Sequence, residues 1–437
     1  MGNKTDKDYI SGDKDESEDE SEDPQSTQSK VRTKNAVIFS ILGLLVFTVL
    51  FLGISAAQDI LAGTSIPTSS VLLCASIPFF LVTLLAPHVN QFVSPTVRVI
   101  LMTVLTTTGI LLVSLGENIL EKLIGICLIS LGGGIAETCF LSLTVFFHQA
   151  AVSAYCGGTG SGFAFGPLYY TALTTWGCVP AKTALMTVVG APLVIFLLYN
   201  FGLKKPSTSK KNDKVTVQTE LLSVHEPEQP YAWKEKVTTL KRTLLLASSL
   251  IIGVSFEYLT VQAVVTTLAF PNSPFSPRDH YQIYFLIFAF GELIGRSYSL
   301  FTYYFCNTSF PLTEKTWIFT LIMGANLIFT ILASWYRFLP VVWPVLVVLF
   351  EHGVIAGALY VNTFGTAGKY ETDVRGKEFS RAFATIGSGM GLTMAGVVGL
   401  ILEPYLRNHC LSTASAADQD FCFTRKIHGY DNATSIC

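Results

Sequence analysis

Apolar residues along this chain neither alternate with period two nor fall in narrow helical stripes. They come in nearly uninterrupted runs separated by short polar breaks. A run of about 20 apolar residues is what an α-helix needs to cross a hydrocarbon core of ~30 Å. On that criterion the pattern predicts about eleven spans, at 36–57, 70–88, 97–115, 123–147, 153–176, 181–201, 243–269, 281–304, 316–334, 340–361 and 379–402. The connections are short except at 202–242, which divides the chain into a six-span half, 35–201, and a five-span half, 243–403. The expectation is an all-α polytopic membrane protein in two halves. The architecture is like that of the major facilitators and the equilibrative nucleoside carriers, whose substrates bind between halves.

Composition points the same way. Of the 437 residues, 50% are hydrophobic and only 14% charged, and the mean hydropathy is +0.48, more apolar surface than a soluble domain buries. Net charge is −2, which argues against nucleic-acid binding. Residues 1–34 interleave Asp13, Asp15, Glu16, Glu18, Asp19, Glu20, Glu22 and Asp23 with serines, a composition expected to stay disordered. They have no basic-then-apolar opening of a cleaved signal peptide, and Asp6 occupies the place where a myristoylation motif has Ser or Thr. The first span is therefore expected to serve as the insertion signal.

Charge also orients the spans. Lys30, Arg32 and Lys34 precede the first one. The 202–242 loop carries Lys204, Lys205, Lys210, Lys211, Lys214, Lys234, Lys236, Lys241 and Arg242, whereas 58–69 has no Lys or Arg and 270–280 only Arg278. Basic loops stay cytosolic, so the N-terminus and the central loop are expected in the cytosol. Span parity then places the 404–437 tail on the other side, where Asn432 of the sequon Asn432-Ala433-Thr434 is open to glycosylation and Cys410 and Cys422 can form a disulfide. The remaining cysteines show no CxxC spacing or His/Cys cluster, so neither a metal site nor a cofactor is expected.

Ionisable residues at membrane depth cost about 3 kcal/mol each on insertion scales and mark functional positions or buried pairs. Glu137 lies within the fourth span, Glu257 in the seventh, Glu351 with His352 in the tenth, and Asp59 closes the first. These four spans line the central cavity of a two-half facilitator. The acids are read either as a cavity ring that binds protons or cationic groups, or as hydrogen-bonding glue between spans. In the eighth span Glu292 and Arg296 stand four apart, acid first, the order that favours a helical ion pair. Arg296 is read as that pair's cation, as a partner of Glu257, or as a fork for phosphate or carboxylate. Arg98 and His148 lie near the cytosolic edge and are expected to snorkel. Gly158, Thr159 and Gly160 belong to a glycine-dense stretch ending in Gly166-Pro167, in which Gly158 and Gly162 form a GxxxG match. Helix packing and an unwound, cavity-lining segment are both open there. No Ser/His/Asp or Cys/His set stands outside an apolar run, so the chain is not read as an enzyme.

Several segments taken together resemble the battenin family: Ser55-Ala56-Ala57-Gln58-Asp59-Ile60-Leu61, Leu84-Leu85-Ala86-Pro87, Glu137 with Phe140-Leu141-Ser142-Leu143-Thr144, Gly158-Thr159-Gly160, Glu257-Tyr258 with Gln262, Arg296-Ser297, Tyr360-Val361-Asn362-Thr363-Phe364, Glu371-Thr372 and Glu378-Phe379. The resemblance covers roughly 35–403 and adds Gln262 and Asn362 to the candidate pathway. It implies a lysosomal or late-endosomal membrane protein tied to efflux of small polar metabolites such as glycerophosphodiesters or basic amino acids, to lysosomal pH and to autophagy. The expected partners are a small solute, the bilayer, and trafficking adaptors at the acidic tail and central loop. A scaffold that recruits such adaptors without transporting anything is the rival expectation. Three departures stand out: Glu220-Leu221-Leu222 has no acid four residues before Leu221, Cys437 is the last residue rather than fourth from the end, and Gly387-Ser388-Gly389 occurs where the family carries an acid in the last span.

Overall fold

The computed structural model describes residues 24–64, 66–89, 92–144, 147, 150–203, 233–275, 279–305, 312–367, 369, 374–415 and 418–424. The sequon at Asn432, His148 and the Glu220-Leu221-Leu222 segment lie outside them. Eleven helical segments of membrane-spanning length run through the described residues: α1 Pro24–Ser55, α2 Ser69–Val89, α3 Pro95–Leu115, α4 Ile119–Leu143 and α5 Ala150–Thr171; α6 Ala181–Gly202; and α7 Trp233–Leu259, α8 Asp279–Phe305, α9 Trp317–Tyr336, α10 Trp343–Thr366 and α11 Val374–Thr413. Nine of them are long and apolar enough to cross a membrane among the described residues, all but α5 and α8. Those two carry the glycine-dense stretch and the Glu292/Arg296 pair.

Boundaries differ from the hydropathy pattern mainly at the ends. α1 begins at Pro24, inside the segment read as a disordered tail, and α11 continues to Thr413 instead of stopping at 402. Neither extension is apolar; hydropathy marks where a helix enters lipid, not where its hydrogen bonding ends.

α1 and α5 meet along small residues. A Cβ on Gly158 would collide with the Ser40 carbonyl, one on Gly162 with that of Leu44, and one on Gly43 would stand 2.7 Å from the Tyr155 oxygen. The stretch is a continuous helix, so of its two readings close packing is the one seen. α8 and α10 meet in the same way: a Cβ on Gly291, Gly295, Gly353 or Gly357 would strike the partner helix's backbone. Outward faces carry exposed apolar side chains such as Leu81, Val104, Leu245, Leu321, Val347 and Ile401, which suit a lipid solvent.

Three helices end in π turns, at Ala172–Trp176, Leu198–Gly202 and Thr260–Val264. At the end of the bundle where α1 finishes, polar contacts join the halves. Tyr281 of α8 donates to the Ile54 carbonyl of α1 at 3.3 Å. Glu403 of α11 accepts from the Thr68 and Ser69 N–H groups and the Ser69 hydroxyl at 3.1 to 3.2 Å, taking up free donors at the start of α2. A Cys410–Cys422 disulfide folds the last described segment back onto this end. There Gln58 donates to Thr424 at 2.9 Å, and Thr424 donates from its backbone and hydroxyl to the Thr266 carbonyl.

Candidate functional site

Midway through the bundle, α1, α2, α4, α7, α8, α10 and α11 line a partly open cavity with about 620 Å³ of non-atom space, open solvent included. Most of the wall is apolar, with Phe47 and Phe51 from α1 and Leu250 and Val254 from α7. The polar residues converge on it: Ser130, Glu137, Glu257, Tyr258, Glu292, Arg296, Tyr360 and Ser388. A concave, largely apolar space with a few directed polar groups is the usual form of a small-molecule site.

Arg296 is the hub. It is 6% exposed and its Nε donates to Glu292 Oε1 at 2.6 Å, one helical turn back. A second guanidinium nitrogen closes an ion pair on the same oxygen. Its Nη1 donates to Thr159 of α5 at 3.3 Å, and its central carbon stands 3.9 Å from the centroid of the Tyr360 ring. The rings of Phe47 and Phe163 complete the cage at 5.6 Å. Gly160 leaves room beside it, because a Cβ there would sit 3.0 Å from Arg296 Cβ and Cδ, tighter than ordinary contact. The guanidinium is thus held by charge, by a hydroxyl from the opposite half and by cation–π contact.

The acids divide into three situations. Glu292 is committed to Arg296. Glu137, on α4, accepts from the Tyr360 hydroxyl of α10 at 3.1 Å. Glu257 is 5% exposed and lines the cavity, with no hydrogen bond to a described residue; the charges of Glu292 and Arg296 are its electrostatic neighbours.

The other sequence candidates lie elsewhere. Glu351 is exposed on the outer face of α10, accepting from Asn326 of α9 at 3.1 Å. The helical phase of α10 turns it outward while the next residue, His352, turns in, so the expected acid ring has no member from α10. His352 is fully buried with neither ring nitrogen bonded to a described residue, packed 6.1 Å from the Phe288 ring, and is not among the residues lining the cavity. Asp59 accepts from Tyr170 at 2.6 Å where α1 ends. Gln262 sits in the π turn after α7 and accepts from Tyr281 at 2.9 Å. Asn362 ties backbone to backbone, accepting from the Thr313 N–H and donating to the Ala358 carbonyl, each at 2.7 Å.

Tyr258 and Tyr360 enter the sequence pattern only within the segments that resemble the battenin family and not as site residues, since a tyrosine in an apolar run gives no signal of its own. Only the spacing of Tyr258 directly after Glu257 hints at it. Ser388, in the Gly387-Ser388-Gly389 stretch of α11, stands in the cavity wall. Among the described residues no group of His, Cys, Asp and Glu could hold a metal ion.

A family model described as CLN3 protein matches residues 37–409. Curated relatives include Battenin of Canis lupus familiaris, 28% identical over 352 residues, with 78% of each chain covered. Protein BTN1 of Yarrowia lipolytica is 30% identical over 376 residues, covering 84% of this chain and 93% of that one. Among solved structures, a bacterial homolog to the human lysosomal transporter Spinster, inward-facing and unoccupied, superposes with a TM-score of 0.60 at 13% identity, covering 87% of this chain and 84% of that one. An auto-inhibited POT family peptide transporter gives 0.56 at 12% identity, covering 89% and 94%. At those identities the two structures speak for the fold, a transporter fold of two helical halves.

Proposed function

This chain belongs to the CLN3 protein family, and from that premise we propose that it is a lysosomal carrier moving a small polar metabolite, such as a glycerophosphodiester or a basic amino acid, by alternating access through the cavity around Arg296. The observation that supports this reading is the pairing of opposite chemistries in one space. Arg296 stands beside Glu257, whose carboxylate lines the cavity with no hydrogen bond to a described residue.

A glycerophosphodiester bearing a choline or ethanolamine group carries one anionic and one cationic centre. The Arg296 fork suits the phosphodiester; Glu257, with the rings of Tyr258 and Tyr360, suits the ammonium. A basic amino acid offers the same pair of charges, its carboxylate toward Arg296. In this reading Glu137 and Glu257, one in each half, take up and release a proton as the halves rock. The expected orientation puts the N-terminus and the basic central segment in the cytosol.

The test is flux. Purified protein in liposomes should take up labelled glycerophosphodiester or lysine against an empty-liposome control, with a pH gradient changing the rate. Absence of flux for both solutes, with and without the gradient, removes the carrier reading. Immunolocalisation against a lysosomal marker tests the address separately.

A further inference from the structure

Arg98 stands in the first turn of α3, only 8% exposed, with Nε and Nη1 buried and without a hydrogen-bond partner among the described residues. No carboxylate of a described residue pairs with it. Arg296, buried to a similar degree, has Glu292 and Thr159. A guanidinium out of water without a counter-charge is costly, and native structures supply a partner for such groups with few exceptions.

The surroundings say what kind of partner fits. Thr96 and Tyr199 share a hydroxyl contact of 3.4 Å beside it, and Cys139 lies at the same corner, its sulfur 3.9 Å from the Pro95 carbonyl. These neighbours are neutral dipoles. Ser94, which precedes the helix in an extended conformation, makes no side-chain cap, and Pro95 follows with no N–H to offer. The helix start therefore brings its positive end to the same corner without an acid to meet it.

The position in the bundle narrows the source. By span parity the start of α3 lies at the end where α1 begins and where Leu203 and Trp233 flank the basic central segment. Val97, Ile100, Leu101 and Phe201 around it are exposed and apolar, a lipid-facing rim at headgroup depth. Basic pockets between helices at such a level take anionic headgroups.

We propose that Arg98 and the first turn of α3, bordered by Tyr199, form a binding site for a phosphate-bearing anion at the basic end of the bundle, remote from the central cavity. The phosphate of an anionic lipid and free inorganic phosphate share the required chemistry.

Two arms separate them. The full chain is reconstituted in nanodiscs of phosphatidylcholine with or without phosphatidic acid, and in parallel inorganic phosphate is titrated into the phosphatidylcholine sample. Thermal unfolding and bound lipid by native mass spectrometry are read for wild type, R98Q and R98K. The lipid arm is expected to raise the unfolding temperature of wild type and to leave phosphatidic acid bound. R98Q is expected to lose roughly tenfold or more in apparent affinity, the loss of a charged hydrogen bond, with R98K between the two. The same pattern with inorganic phosphate alone supports the site with a soluble occupant. Equal responses of wild type and R98Q in both arms overturn it. If R98Q does not fold, a photoactivatable phosphatidic acid on wild type decides: crosslinks mapping to residues 94–101 or 196–201 support the site, and crosslinks only elsewhere, with no shift of the wild-type unfolding temperature by inorganic phosphate, overturn it.

Discussion

Tyr360 of α10 donates its hydroxyl to Glu137 of α4 at 3.1 Å while its ring covers Arg296 at 3.9 Å. One side chain therefore links an acid of the first half to the cation of the second. Tyr360→Phe keeps the ring and removes the donor, leaving a buried carboxylate without the partner it has here. Such a loss costs about 1 to 3 kcal/mol. The expected outcome is a flux reduced roughly tenfold, with thermal stability falling less than for Tyr360→Ala. Initial-rate uptake in proteoliposomes checks it; an unchanged rate would show that Glu137 takes no part in the transport cycle.

Glu257 and Glu351 look alike in sequence, each an acid within an apolar run. In the fold they differ: Glu257 lines the cavity and Glu351 is exposed on the outside, bonded to Asn326. Glu257→Gln is expected to abolish or strongly reduce flux and its dependence on a pH gradient. Glu351→Gln is expected to leave both within about twofold, as for a surface substitution worth up to ~0.5 kcal/mol. The two variants in one uptake series decide between the cavity seen here and a ring of acids running through α10. Loss of flux in E351Q with retention in E257Q would sink the assignment.

The spans were legible because lipid demands long apolar runs, and a run survives errors of several residues at either end. Individual site residues were less so. Glu137, Glu257 and Arg296 were readable because a charge in such a run is conspicuous. The phase of a fully apolar helix, by contrast, leaves no stripe, so nothing in the sequence told that Glu351 turns outward and His352 inward. Tyr258 and Tyr360 carry no charge to betray them. The place of Gly160 against the Arg296 side chain depends on how α5 packs on α8, a contact between helices that no periodicity within one helix records.

The contact of α1 with α5 gives a stability test. A Cβ at Gly158 collides with the Ser40 backbone, which cannot swing aside, whereas Gly190 has nothing within 4 Å of where its Cβ would be. Gly158→Ala is expected to lower stability by about 1 to 3 kcal/mol, the usual cost of overpacking. Gly190→Ala is expected to be neutral or slightly stabilising. Thermal unfolding of both in the same detergent checks the pair, and a neutral Gly158→Ala would mean that α1 and α5 are not in close contact.

The Cys410–Cys422 disulfide closes a loop with a sequence separation of 12, and the segment it holds is bonded to both halves. Gln58 reaches Thr424 from one side; from the other, Arg337 donates to the Phe421 carbonyl at 2.9 Å. Burial of Arg337 against this segment presses its basicity below the ordinary arginine value, a cost the carbonyl contact offsets. Loops of this size are worth about 3 kcal/mol when cross-linked. Cys422→Ser is therefore expected to lower the unfolding temperature by several degrees and to speed amide exchange at residues 418–424 and at the Gln58 turn together. Joint loss of protection follows only if the segment bridges the halves. Faster exchange confined to 418–424, with Gln58 still protected, would mean that the disulfide anchors the segment to α11 and contributes nothing to closing this end.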